Sequence, residues 1–249
     1  MALPALGVQL IVFGRKYKTD QQPEVVLDLA KGAGFDAVEH GIGVPADKMK
    51  DLLAKRGMKY VGAHIAIMGK PSVPDLIKYM HALGAVDVCN SCMLKLPPLT
   101  TQDYVEGIKV VNEVGRALKK EGLKLHYHNH DFEFAKLDGP KRGMEMLLDA
   151  LDPDACDLCV DVAWVYRGGD DPIQFLRQHK DRIGYVHLKD HDGTDWCALG
   201  KGKVPIAAVV KELPAMPKVR WAVVEQDTTK IEPEESMRQS REYLRTLGF

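Results

Sequence analysis

Eight times along the chain a short run rich in β-branched and aromatic residues gives way to a segment with helical spacing, and this alternation limits the fold more than any other feature. The strand-like runs are LGVQLIVFG (6–14), FDAVEHG (35–41), MKYVGAHIAI (58–67), AVDVCNSC (85–92), LKLHYHNH (123–130), CDLCVDVAW (156–164), IGYVHLKD (183–190) and RWAVVEQD (220–227). The clearest helix is expected from Thr101 to about Lys120, where Tyr104, Ile108, Val111, Val114 and Leu118 step by three or four along one face, with Thr101 capping the start and Gly122 following the end. Pro23, Pro45 and Pro172 fall at the first turns of other helices, where a missing N–H costs little. Strict alternation calls for a parallel sheet, and eight units in 249 residues fit a single closed (β/α)8 TIM barrel occupying residues 1–249 as one domain. The rival, a doubly wound open sheet, usually carries a glycine-rich phosphate turn after its first strand, and VFGRKYKTD is not one.

Composition narrows the partners. Apolar residues form 45% of the chain, enough for a sizeable core, while a formal net charge of -1 and the lack of a basic, aromatic-rich stretch argue against nucleic acid. No run approaches the roughly 20 apolar residues that a bilayer span needs, and the N-terminus reads as a first strand rather than a signal peptide. Five cysteines do not suggest a disulfide framework, so a reducing cytoplasm is expected. Cys89 with Cys92 and Cys156 with Cys159 have zinc-knuckle spacing. In strands, however, residues three apart point to opposite faces, and small buried core residues are the better reading.

The strand ends carry the chemistry. Glu39, His64, Asn90, His128, Asp161, His187 and Glu225 each close an apolar run, and in a barrel such residues converge on the C-terminal rim, where active sites of this fold are built. A lone histidine at a strand end is more often structural than a ligand. Recurrence on successive strands is different, because burying several carboxylates and imidazoles together is costly unless something positive compensates them. His128, Asp161, His187 and Glu225 would offer a divalent metal two nitrogens and two carboxylate oxygens. That set suits Mn2+, Zn2+, Co2+ or Fe2+ better than Mg2+, with Mn2+ the first expectation and Zn2+ the second. Glu39 and His64 are candidates to contact substrate or to steady a ligand's second nitrogen.

The motifs YHNHDFEF, DVAWVYRGGDDP, VHLKD, LGKGK and VVEQD, in this order between residues 126 and 227, resemble the xylose-isomerase-like TIM-barrel superfamily, the AP endonuclease 2 fold. That group holds sugar isomerases and epimerases, inosose dehydratases and, more remotely, endonuclease IV. The resemblance implies a metal site at His128, Asp161, His187 and Glu225 that binds the oxygens of a small sugar or polyol. It also implies removal of a proton next to a carbonyl, with the metal acting as a Lewis acid on the enediolate. Ketose 3-epimerases place a glutamate where this chain has His128. The two-carboxylate arrangement is therefore incomplete, and Glu225 is expected as one base, with Lys189, His130 and Glu39 as candidates for a second. An imidazole at this position resembles the inosose-dehydratase branch. A metal-dependent isomerase or epimerase is the leading expectation, a carbon–oxygen lyase the alternative, and an endonuclease IV-like nuclease or a non-catalytic subunit trail them. Relatives are often dimers or tetramers, so a homo-oligomer is also expected.

The supporting residues keep two readings each. Trp164 and Trp196 suit an apolar wall for a sugar ring, or simple packing. Arg167 and Lys189 suit contacts to substrate, with surface charge as the default. LGKGKVP is read as a conformational loop in preference to a phosphate cradle, and GGDDP as a turn and helix cap whose acidic pair faces solvent.

Overall fold

The computed structural model describes residues 2–67, 72–93 and 95–249. Eight parallel strands close into a barrel: β1 (Ala5–Gln9), β2 (Ala37–His40), β3 (Lys59–Ile65), β4 (Asp87–Asn90), β5 (Lys124–His128), β6 (Cys156–Asp161), β7 (Ile183–Leu188) and β10 (Trp221–Val224). Their order around the barrel is β1, β10, β7, β6, β5, β4, β3, β2, and the pairing of β1 with β10 closes the ring. Between β7 and β10 a two-stranded antiparallel ribbon, β8 (Asp190–His191) with β9 (Trp196–Cys197), stands outside it. The helices outside the barrel are α1 (Pro23–Gly32), α2 (Ala46–Arg56), α3 (Val73–Leu83), α4 (Thr101–Lys120), α5 (Gly143–Ala150), α6 (Val162–Arg167), α7 (Pro172–His179), α8 (Ile206–Glu212) and α9 (Pro233–Thr246). Among the described residues no helix is long and apolar enough to cross a membrane.

Side-chain alternation sorts the core into two. The outward residues of the strands, such as Val8, Val38, Leu125, Tyr127, Val160, Val186 and Val224, pack with the helices into the main core. The inward residues Ala37, Val61, Cys89, Cys159, Tyr185 and Val223 fill the barrel itself. Cys156 belongs to the first group and Cys159 to the second, as residues three apart in a strand must, and all five cysteines are free. The helix expected from Thr101 to Lys120 is α4, but its cap is Thr100: the Thr100 hydroxyl accepts from the Asp103 amide while the Asp103 carboxylate accepts from the Thr100 amide. Gly122 follows with φ +75°, a conformation that favours glycine.

Every strand ends before its sequence run does, and in two of them a polar side chain makes the stop. The first ends at Gln9, whose side-chain oxygen accepts from the Ile11 amide and starts a 3-10 helix, Leu10–Arg15. The sixth ends at Asp161, whose Oδ1 accepts from the Ala163 and Trp164 amides at 2.9 and 3.1 Å and starts α6. In both cases a polar side chain captures the next turn's amides, which hydrophobicity alone does not reveal.

The LGKGK segment is not a free loop. Asp190 accepts from the amides of Gly200 (2.9 Å), Gly202 (3.0 Å) and Val204 (3.1 Å), and a Cβ on Gly202 would collide with the Asp190 carboxylate. The amides that a phosphate would need are spent on this carboxylate, so the loop is a pinned clamp. In GGDDP, Asp171 caps α7, but Asp170 is held by Arg142 at 2.7 and 3.1 Å rather than facing solvent alone.

Candidate metal and catalytic site

Three alternate histidines of KLHYHNH part company along the barrel axis. His126 and His128 both point inward and are 1% exposed, whereas His130 lies beyond the end of β5 and stacks on Phe132 with ring centres 5.0 Å apart. His126 meets Asp87, nearer the start of the strands, at 2.9 Å. His128 is at the mouth.

At that mouth His128, Asp161, His187 and Glu225, from the ends of β5, β6, β7 and just past β10, each offer one donor atom, all within 4.8 Å of one another. All four are 4% exposed or less. His128 Nε2 lies 3.6 Å from Asp161 Oδ2 and 3.9 Å from Glu225 Oε2, and His187 Nδ1 approaches the same Glu225 oxygen to 2.7 Å. His128 Nε2, Asp161 Oδ2, His187 Nδ1 and Glu225 Oε2 are buried, and each lacks a well-aligned hydrogen-bond partner. Buried polar atoms are nearly always well paired, so four that face one another without an aligned hydrogen bond mark a place suited to a shared ligand. The donor types fit a divalent cation of the Mn2+ or Zn2+ class.

The remaining valences are fixed by neighbours. Asp161 spends Oδ1 on capping α6, and its backbone is clamped on both sides by buried Asn129, whose Oδ1 accepts from Asp161 N (3.0 Å) and whose Nδ2 donates to Asp161 O (3.2 Å). His187 Nε2 stands 3.2 Å from Glu39 Oε2, the arrangement by which a carboxylate orients a ligating imidazole. Glu39 is fully buried and also takes hydrogen bonds from the Tyr185 hydroxyl and from His64 Nδ1, the latter at 2.7 Å. Glu133, another fully buried carboxyl, accepts from Tyr127 Oη and the His130 amide, both at 2.7 Å, and burial pushes it up to about 8.

Lys189 is not surface charge. It is completely buried, with Nζ 3.0 Å from Glu225 Oε1, 3.6 Å from Asp161 Oδ2 and in direct contact with Asp227. Burial opposes its charge, but Glu225, Asp161 and Asp227 outweigh it and keep the ammonium protonated. Burial alone would raise Glu225, yet Lys189 and His187 hold it well below the usual carboxylate range. Asp161 and Asp227 are raised, chiefly by burial. Burial also holds His128 neutral, the form that ligates, and brings His130 down to about 3. His187 is raised in spite of burial by Glu39 and Glu225.

Trp164 on α6 and Trp196 on β9 meet edge to face at 4.6 Å and wall one side. Lys189 lies 4.7 and 4.3 Å from their ring centres and Arg167 4.8 and 5.1 Å, while Arg167 also reaches Asp131 at 3.3 Å. The sequence candidates are thus brought together, with Glu39 and His64 beneath the set and His130 beside it. Asp227, Asn129 and Tyr185 escaped sequence reading. Alternation could have found two of them, since Asp227 is two residues past Glu225 and Tyr185 two before His187. Asn129 leaves no such signal.

Comparison with known proteins agrees with this architecture. Residues 27–247 match the family model described as xylose isomerase-like TIM barrel. An inosose dehydratase of Geobacillus kaustophilus is 25% identical over 170 residues, which cover 60% of this chain and 54% of that protein, so the match spans about half the relative's length. A crystal structure of a sugar phosphate isomerase/epimerase from Parabacteroides distasonis superposes with a TM-score of 0.80 at 21% identity, covering 98% of this chain and 94% of the other. The IolI protein with a bound zinc atom superposes with a TM-score of 0.76 at 13% identity, covering 98% and 97%.

Proposed function

The chain belongs to the xylose isomerase-like TIM-barrel family, and from that membership and the site we propose that residues 1–249 form one metal-dependent catalytic barrel of the sugar isomerase/epimerase type. Its substrate is a keto sugar or polyol derivative, from which it takes a proton beside the carbonyl. The observation that carries this reading is the convergence of four buried donor atoms, each without a well-aligned hydrogen bond, from His128, Asp161, His187 and Glu225. These residues would hold the cation, which when bound supplies Lewis-acid polarisation of the carbonyl and charge for the enediolate.

The protein's own groups divide the remaining work. Glu225 turns Oε2 to the cation set and keeps Oε1 beside Lys189 Nζ at 3.0 Å, so Oε1 is the atom that takes the proton. The Lys189 ammonium, fixed by Asp227, donates toward oxygen on which negative charge grows. Glu39 holds His187 in orientation, and Asn129 holds Asp161. The Trp164–Trp196 wall excludes water and offers apolar surface to a ring.

The position of Lys189 bears on the outcome. Epimerisation needs a second acid–base group on the opposite face of the substrate, yet Lys189 is beside Glu225, Glu39 is buried beneath the set, and the His130 ring is stacked on Phe132 beyond the end of β5. Base and acid on one side suit loss of a β-hydroxyl, the second reading, as well as isomerisation by a single base, and suit epimerisation less. Incubation with a panel of keto sugars and inososes in D2O tests both. Solvent deuterium at the carbon beside the carbonyl is expected, and an ultraviolet-absorbing unsaturated product identifies elimination. The absence of both exchange and an unsaturated product with every one of them in the metal-loaded protein would overturn the proposal.

A further inference from the structure

Directly under the four-residue set lies a second group, of which the proposed reaction uses only His187 as a ligand. Glu39, His64, Cys89 and His187 each offer one donor atom, again all within 4.8 Å of one another. Glu39, Cys89 and His187 are 1% exposed or less. The two groups share His187, an imidazole with two usable nitrogens: Nδ1 stands 2.7 Å from Glu225 Oε2 and Nε2 stands 3.2 Å from Glu39 Oε2.

The sulfur sets this group apart. Cys89 sits on the inward face of β4 and shares the inner cluster with Cys159 on β6. Because β5 lies between those strands, their backbones are about 9–10 Å apart, too far for a disulfide. Cys89 therefore stays a thiol. Its sulfur is 1% exposed and lies within 4.8 Å of donor atoms from Glu39, His64 and His187, so a soft ligand already faces two imidazoles and a carboxylate. Glu39 Oε1 stands 2.7 Å from His64 Nδ1 and Glu39 Oε2 stands 3.2 Å from His187 Nε2, so the donor atoms already converge on one carboxylate.

We propose that Glu39, His64, Cys89 and His187 form a second, deeper cation site, thiophilic and of the Zn2+ class, joined to the mouth site through the two nitrogens of His187. A thiolate beside imidazoles selects Zn2+ or Co2+ over Mn2+, whereas the all-nitrogen-and-oxygen set above accepts all three. Mn2+ therefore fills one site and Zn2+ fills two.

The test needs no substrate. Metal-free protein is titrated with Mn2+, Zn2+ and Co2+, bound metal is counted by mass spectrometry, and the near-ultraviolet sulfur-to-cobalt charge-transfer absorption is followed. The expected result is one Mn2+, two Zn2+, and a cobalt–sulfur band. In Cys89→Ala the band vanishes and Zn2+ falls from two to one while Mn2+ stays at one. Asp161→Asn loses Mn2+ and keeps the band, which separates failure of the mouth site from failure of this one. Saturation of the unmodified protein at one Zn2+, or a cobalt complex without the band, would overturn the proposal whether or not the variants fold.

Discussion

The two ends of the barrel interior use the same residue types to opposite effect. At the N-terminal end, Asp87 accepts from His126 Nε2 at 2.9 Å and from Arg220 Nη2 at 2.6 Å to each oxygen, and Asp157 accepts from Lys218 at 2.7 Å. A groove of about 410 Å³ opens beside Asp87, Arg220 and Trp221. At the C-terminal mouth, Asp161, His187 and Glu225 leave one atom each, and His128 both ring nitrogens, without an aligned partner, although Lys189 stands close by. Histidine and carboxylate together do not define a site, and neither does a groove. At the mouth, unmet hydrogen-bonding capacity aimed at one point does, because stability alone would have removed it.

Four predictions press on that contrast. The largest effect is expected for Glu225→Gln, which should lower substrate proton exchange by about 10²–10⁴-fold, measured by deuterium incorporation, with the fold unchanged by circular dichroism. Next, carboxylate-to-amide changes at the two ends should differ in sign. In metal-free protein Asp87→Asn should cost about 1–2 kcal/mol by urea denaturation, since it weakens the charge-assisted hydrogen bonds from half-exposed Arg220 and from His126. Asp161→Asn should be neutral or stabilise by about 0.5–2 kcal/mol, because it removes a buried charge from a crowded set. Equal losses from both would erase the distinction.

Smaller effects sharpen it. Asn129→Ala should weaken metal binding by about 10–100-fold in a calorimetric titration, although Asn129 offers the cation nothing itself. Metal affinity should also rise with pH. Glu39 and Glu225 raise His187, so at low pH a proton occupies Nδ1 and competes with the cation, and that competition fades as pH increases. Flat affinity from pH 6 to 8 would mean that Nδ1 is not a ligand.

The barrel and the four-residue set were legible in the sequence because both rest on periodicity. Alternation put His128, Asp161 and His187 inward, and each β-to-α change put a polar residue at the rim. What remained hidden depends on side-chain hydrogen bonds between distant segments. Gln9 and Asp161 end their strands by capturing amides, Asp190 spends the amides of the LGKGK loop, and Lys189 is buried only because three carboxylates from other strands meet it. A lysine two residues past a buried strand histidine looks like surface charge until its partners are known.

The central claim is most directly tested by an anomalous difference map from crystals soaked in Mn2+. The account predicts one peak enclosed by His128 Nε2, Asp161 Oδ2, His187 Nδ1 and Glu225 Oε2, and its loss in His128→Ala. A map with no manganese among these atoms, or with the ion held elsewhere on the chain, would contradict it.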